Sequence, residues 1–158
     1  MQINQTLKEM LYDRGYILND NIATKDDDII YIQILDEKKI GKREILNIIQ
    51  EMEEENRNHL ILVIPQKLTP LALQELKNTD KEIEIFLFKE LMFNITKHYL
   101  QPTMRILNKN EKKELVHQVK TSQLPIIMKN DPICRYFNAK TGMIFKFERP
   151  SIYYRIVV

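Results

Sequence analysis

A chain of 158 residues, 44% of them hydrophobic, has apolar material for a real core in one domain or two small ones, and its 3 Gly and 6 Pro leave no low-complexity linker. The longest apolar run, Leu60 to Pro65, falls far short of the roughly 20 residues that span a bilayer. With no basic, apolar and small-residue signal at the amino terminus, a soluble intracellular protein without membrane partners is expected, and the single cysteine, Cys134, excludes an internal disulfide or a Cys-rich zinc site. The net charge of +2 hides an uneven distribution, since residues 1 to 89 hold 12 Lys/Arg against 17 Asp/Glu and residues 90 to 158 hold 12 against 5. Two ordinarily solvated surfaces would account for this; so would two surfaces with separate partners, the basic one facing an acidic protein groove or a nucleic acid backbone.

In chain order, Asn4 is a candidate N-cap, Leu7, Met10 and Leu11 follow at helical spacing, and Gly15 stands where a left-handed C-cap belongs. Ile29 to Leu35, β-branched and apolar after three Asp residues, fits a strand that ends in the charged turn Asp36 to Gly41. A second helix carries Ile45, Ile48, Ile49 and Met52 as one stripe, with Glu51, Glu53, Glu54 and Glu55 on its solvated side and end. His59 to Ile64 reads as a buried strand, and Thr69 and Pro70 as N-cap and first-turn residue of a short helix bearing Leu73 and Leu76. Alternation of Glu82, Ile83, Glu84 and Ile85 suits a strand with one wet face. The half therefore alternates helix and strand, with a partly parallel small sheet under helices. In the second half, Glu90 to Asn94 is a short apolar segment, Glu111, Glu114 and Leu115 suit a helix, and strand signals return only at the end. There Met143 to Glu148 and Tyr153 to Val158 flank Pro150 and Ser151 as an antiparallel hairpin. The fold class is α+β: an alternating α/β domain over 1–89, then an α+β domain over 90–158.

Little chemistry is encoded. His59, His98 and His117 are far apart and none falls in a recognised metal motif, and P-loop, G-x-S-x-G and G-x-G-x-x-G patterns are absent, so no catalytic residue, metal or other cofactor is expected. Arg135 beside Cys134 could lower its pKa, but a buried small hydrophobe is the better reading. A metal-dependent nuclease built on Asp28, Asp36, Glu37 and Lys38 fails on geometry. If Ile29 to Leu35 is one strand, the two aspartates stand about 26 Å apart at about 3.3 Å per residue.

Sequence blocks in the second half carry more. ELMFNITKHYLQP (Glu90 to Pro102), SQLP (Ser122 to Pro125), DPICRYF (Asp131 to Phe137), TGMIFKFERPS (Thr141 to Ser151) and YYR (Tyr153 to Arg155) occur in order and cover essentially all of residues 90 to 158. Their run of Leu-Pro, Asp-Pro, Arg-Tyr, Gly and Arg-Pro-Ser resembles the common fifth subunit of eukaryotic-type DNA-dependent RNA polymerases and its archaeal counterpart. EMLYDRGY (Glu9 to Tyr16) and TPLA (Thr69 to Ala72) are similar, more loosely, to that family's jaw domain. This chain departs from the family pattern at Leu71 (usually Ser), Asn138 (often Gly) and Ile126 (often Arg), and its jaw and final hairpin are shorter. Asn tolerates a left-handed backbone, which makes the second departure conservative.

The resemblance implies a non-catalytic subunit with a shortened jaw near downstream duplex DNA and an assembly domain docked on the largest polymerase subunit beside small subunits. It also implies a nuclear location, or cytoplasm or virion for a large DNA virus, and no homo-oligomer. Polymerase-interface residues would be Asn94, Thr96, His98, Leu124, Pro125, Asp131, Pro132, Arg135, Tyr136, Arg149, Pro150, Tyr153, Tyr154 and Arg155; Lys67, Thr69 and Pro70 would lie near DNA. Arg forks and amphipathic Tyr rings suit protein interfaces. The plainer reading of the same residues makes Tyr136 and Phe137 core, Asp131 a helix cap and Arg149 a strand-end charge. Competing functions are a free nucleic-acid-binding or transcription-factor-binding module and, last, the nuclease.

Overall fold

The computed structural model describes residues 2–36 and 40–158. The chain divides into two compact units, residues 1–93 and 94–158. Among the described residues, no helix is long and apolar enough to cross a membrane.

In the first unit, helix α1 (Gln2–Asp13) precedes strands β1 (Ile17–Asn19), β2 (Ile22–Lys25) and β3 (Asp28–Ile34), then α2 (Lys42–Glu54), β4 (His59–Ile64), α3 (Pro70–Asn78) and β5 (Glu82–Leu87). The five strands form one sheet in sequence order, antiparallel from β1 to β3 and parallel from β3 to β5. Helical crossovers α2 and α3 return the chain for each parallel pairing, as parallel strands require. All six residues of β4 are buried, so both sheet faces need cover. On one face Leu60, Leu62 and Ile64 pack with Ile45, Ile48 and Met52 of α2 and Ala72 of α3. On the other, Ala23, Ile30, Ile61, Val63 and Phe86 are buried. Leu7, Met10 and Leu11 of α1 are buried as well, and Arg14 just beyond α1 reaches this face.

Several expectations need correction. Helix α1 begins at Gln2, so Asn4 lies inside its first turn and does not cap it. At the other end Gly15 has φ +86°, and Tyr16 and Gly15 N–H donate to Leu11 and Tyr12 carbonyls at 2.8 Å each, closing the helix as a Schellman motif. Strands β1 and β2 were not anticipated. Their signals are the Asp20–Asn21 and Asp26–Asp27 turns, whose leading aspartates adopt φ +51°, between runs too short for clear alternation. Leu73 of α3 is exposed, and Ala72 takes its place facing the core beside Leu76. The glutamate face of β5 is not wet at Glu84, where α1 leads Arg14 over it.

The second unit holds β6 (Met104–Ile106), α4 (Lys109–Gln118), β7 (Ile126–Ile127), α5 (Pro132–Tyr136), β8 (Ile144–Phe147) and β9 (Tyr153–Val157). Its sheet runs β6-β8-β9-β7, with β8 and β9 as the antiparallel carboxyl-terminal hairpin and β7 added parallel to β9. Strand content is thus not confined to the end, because two- and three-residue strands carry no periodicity of their own. Ile127, Ile133, Cys134, Phe145, Phe147 and Val157 form the core. Asn138 has φ +49°, a conformation Asn accepts in place of Gly.

One polar cluster ties the first unit together. The guanidinium of Arg14, 4% exposed, donates to both carboxylate oxygens of Glu84 at 2.8 Å, and His59 Nε2 lies 2.8 Å from Glu84 Oε1. Burial pushes the Glu84 carboxyl up, but hydrogen bonds from His59 and Arg14, with the Arg14 charge, outweigh it and hold the carboxyl below its ordinary value. A carboxyl with a depressed folded-state pKa stabilises the fold above its unfolded-state pKa, and that contribution is lost as pH falls through the folded-state value. Arg14→Ala is expected to cost about 3–5 kcal/mol in urea unfolding at neutral pH, because it strands a buried carboxylate. The cost should shrink as pH drops below the ordinary Glu range, and a cost independent of pH would contradict this role.

Candidate docking surface

The residues singled out in the second unit separate into internal pins, helix caps and exposed groups. Asn94 is buried and leads a 3₁₀ turn, Ile95–Lys97. Its Oδ1 accepts from Thr96 N–H at 2.9 Å and Thr96 Oγ1 at 2.6 Å, while its Nδ2 donates to the Tyr136 hydroxyl at 3.0 Å. Asn94, Thr96 and Tyr136 therefore meet and pin the start of the unit to α5. Tyr136 is buried, and its ring meets Phe137 edge-on at 5.1 Å. Leu124 is also core. Asp131 Oδ1 accepts from Ile133 N–H at 2.8 Å and Pro132 opens α5, so this pair acts as cap and first-turn residue. Burial, then the Asp131 charge, pushes the Cys134 thiol up to about 11, the opposite of an activated cysteine.

The exposed members are His98, Pro125, Pro132, Arg149, Pro150 and Arg155, while Arg135, Tyr153 and Tyr154 are half-buried. Strand alternation puts Tyr153 and Arg155 on one face of β9 and Tyr154 on the other. Tyr153 stacks on Phe147, ring centroids 4.8 Å apart at 6°, and the Arg155 guanidinium lies 5.8 Å from both ring centroids. Apolar groups near them in sequence that were not named as interface residues are exposed here too: Tyr99, Leu100, Ile126, Met128 and Ile152. The signal was available in the run Leu124 to Met128, too apolar for an ordinary solvated loop. Helix α4 is fastened by polar contacts, with Asn108 as its cap and Glu111 bridging to Arg105 at 2.7 Å. Hydrogen bonds from Arg105 and the Asn108 backbone hold the Glu111 carboxyl down to about 2.

In the first unit, Lys67 is exposed, Thr69 Oγ1 accepts from Ala72 N–H at 3.3 Å, and Pro70 opens α3. The aspartates considered for a nuclease do not converge. Asp28 opens β3 and accepts from the Tyr16 hydroxyl, Asp36 lies beyond the far end of that strand, and Glu37 and Lys38 lie outside the described residues. His59, Glu82 and Glu84 offer ligand atoms within 4.8 Å of one another, a grouping made by strand register that no local motif announces. Arg14 already supplies a bidentate positive partner to Glu84, so the cluster is built as an ion pair.

Residues 93–157 match the family model "RNA polymerase Rpb5, C-terminal domain". "DNA-directed RNA polymerases I, II, and III subunit rpabc1" of Dictyostelium discoideum is 36% identical, over 96% of this chain and 90% of its own length. The corresponding subunit RPABC1 of Caenorhabditis elegans is 32% identical over 99% and 94%. "DNA-directed RNA polymerases IV and V subunit 5B" of Arabidopsis thaliana is 34% identical over 60% of this chain and 44% of its own. With both units inside the first two matches, the chain belongs to the family of the shared fifth subunit of DNA-directed RNA polymerases.

Proposed function

We propose that the chain is a non-catalytic subunit that docks through residues 94–158 on the largest polymerase subunit, beside other small subunits, while the first unit serves as a short jaw bracing downstream duplex. The observation that carries this reading is the continuity of the match: relatives named as polymerase subunits align across both units, not across one borrowed domain. The second unit offers what docking needs. Exposed Tyr99, Leu100, Ile126, Met128 and Ile152 supply apolar area, and Arg149 and Arg155 supply planar donors for carboxylates and carbonyls. Asn94, Thr96 and Tyr136 act from within, holding the start of the unit in position. On this reading the chain works in the nucleus, or in cytoplasm or virion for a large DNA virus.

The DNA contact is local and weak, since the first unit carries an excess of acidic residues, and it is centred on Lys67 beside the amino end of α3. Affinity purification of the tagged full chain from its native source should recover the two largest polymerase subunits in stoichiometric amounts. Their absence with an intact bait would overturn the assignment. In the assembled polymerase, Lys67→Glu should reduce cross-linking of the chain to downstream DNA, and unchanged cross-linking would move the contact elsewhere.

A further inference from the structure

The sheet of the first unit has an apolar stretch that no described element covers. Register sets Ile17, Thr24 and Ile29 in one row across β1, β2 and β3, and Asn19, Ile22 and Tyr31 in the next. These rows lie on the face that α2 and α3 cover farther along the sheet, where Tyr31 is packed against the α2 core. Ile17, Ile22 and Ile29 are nonetheless 69%, 41% and 42% exposed. Their register neighbours Ala23 and Ile30 turn to the opposite face and are buried, so the exposure is particular to one side. Three strands at about 4.8 Å spacing make a floor about 10 Å wide, the diameter of one α-helix.

The one walled side of this slot, α2, and its two ends carry acidic residues, and the side at the edge strand β1 is open. Lys42 pairs with Glu75 of α3 at 2.7 Å, which identifies the flank of α2 that faces α3. At about 100° per residue, Glu51 stands on the opposite flank, toward β1 and β2. Glu55 pairs with Arg57, whose guanidinium lies 4.3 Å from the Tyr31 ring centroid, so that cation is already engaged at the slot's edge. Exposed Asp20 bounds one end of the floor, and Asp26 and Asp27 bound the other. Lys25 turns to the other face, where its Nζ donates to the Arg14 carbonyl at 3.0 Å.

We propose that this slot receives an amphipathic α-helix of another protein, seated by an apolar stripe and flanked by Lys and Arg. The acidic rim repels phosphate, which disfavours nucleic acid, and two-fold pairing with a second copy would bring the same acidic rim against itself. A helix beside α2 would continue the layer that α2 and α3 begin, burying the isoleucines in the helix-in-groove mode. The surface is built from residues of the first unit, and the inference does not rest on the docking proposed for the second.

The test uses the folded full chain and two 15-residue helical peptides that share a Leu stripe, one with Lys on its flanks and one with Glu. The Lys peptide should bind, more weakly as salt rises, and the Glu peptide should not. Ile22→Ser and Glu51→Lys, both surface changes with an unaltered circular dichroism spectrum expected, should each weaken binding at least about tenfold. Leu73→Ser on α3 should leave it unchanged. Equal binding of the two peptides, no binding of either, or indifference to Ile22→Ser would overturn the proposal. The natural occupant is read by a photo-cross-linking residue at position 22 in the complex purified with the full chain. A cross-link to a Lys/Arg-rich helix of another protein is expected; nucleic acid, a second copy of this chain or no cross-link at all would contradict it.

Discussion

The burial of β4 on both faces is the constraint from which the first unit follows. A strand reading His-Leu-Ile-Leu-Val-Ile, with all six residues inside, cannot sit at an edge or under a single layer of helices. Parallel neighbours on both sides require crossovers, and α2 and α3 supply them and cover one face. The other face is left to α1, which precedes the sheet in sequence and has no crossover geometry to hold it. Arg14 holds it instead, reaching from the end of α1 to a glutamate on the edge strand β5 while His59 of β4 shares the same carboxylate. A buried charge pair of this kind contributes little net stability beside a hydrophobic replacement, but losing one member is costly, so it specifies where α1 lies.

The second unit solves its local problem differently. Its sheet is short-stranded and its core small, and polar pins substitute for length. Asn94 joins its own turn to the Tyr136 hydroxyl, and Asp131 starts α5. The same segments bring exposed aromatic, aliphatic and arginine side chains to the surface of a unit only 65 residues long. On the docking reading proposed above, the outward apolar groups are the ones a neighbouring subunit would cover.

Sequence reading located α2, β3, β4, β5 and the β8–β9 hairpin because their burial periods extend over at least four residues. It missed β1, β6 and β7, of two or three residues, and β2, whose four residues bury only Ala23; beside β1 and β2 the turn residues Asp20 and Asp26 are the local signal. Glu84 was misread for a physical reason: alternation reports which residues share a face but not what covers that face, and the cover comes from Arg14, 70 residues earlier. Family motifs pointed to Asn94, Tyr136 and Asp131, yet a motif does not distinguish a residue that touches a partner from one that shapes the surface. Thr69 and Pro70 were legible outright, since N-cap and first-turn chemistry is local.

Amide hydrogen exchange, compared between the free chain and the chain within the purified polymerase, tests the docking account most directly. Protection on assembly should concentrate in residues 98–100, 126–128 and 149–156 of the second unit, with the Asn94 turn and α5 already protected in the free chain. Protection confined to the first unit, or no change at these three segments, would contradict it.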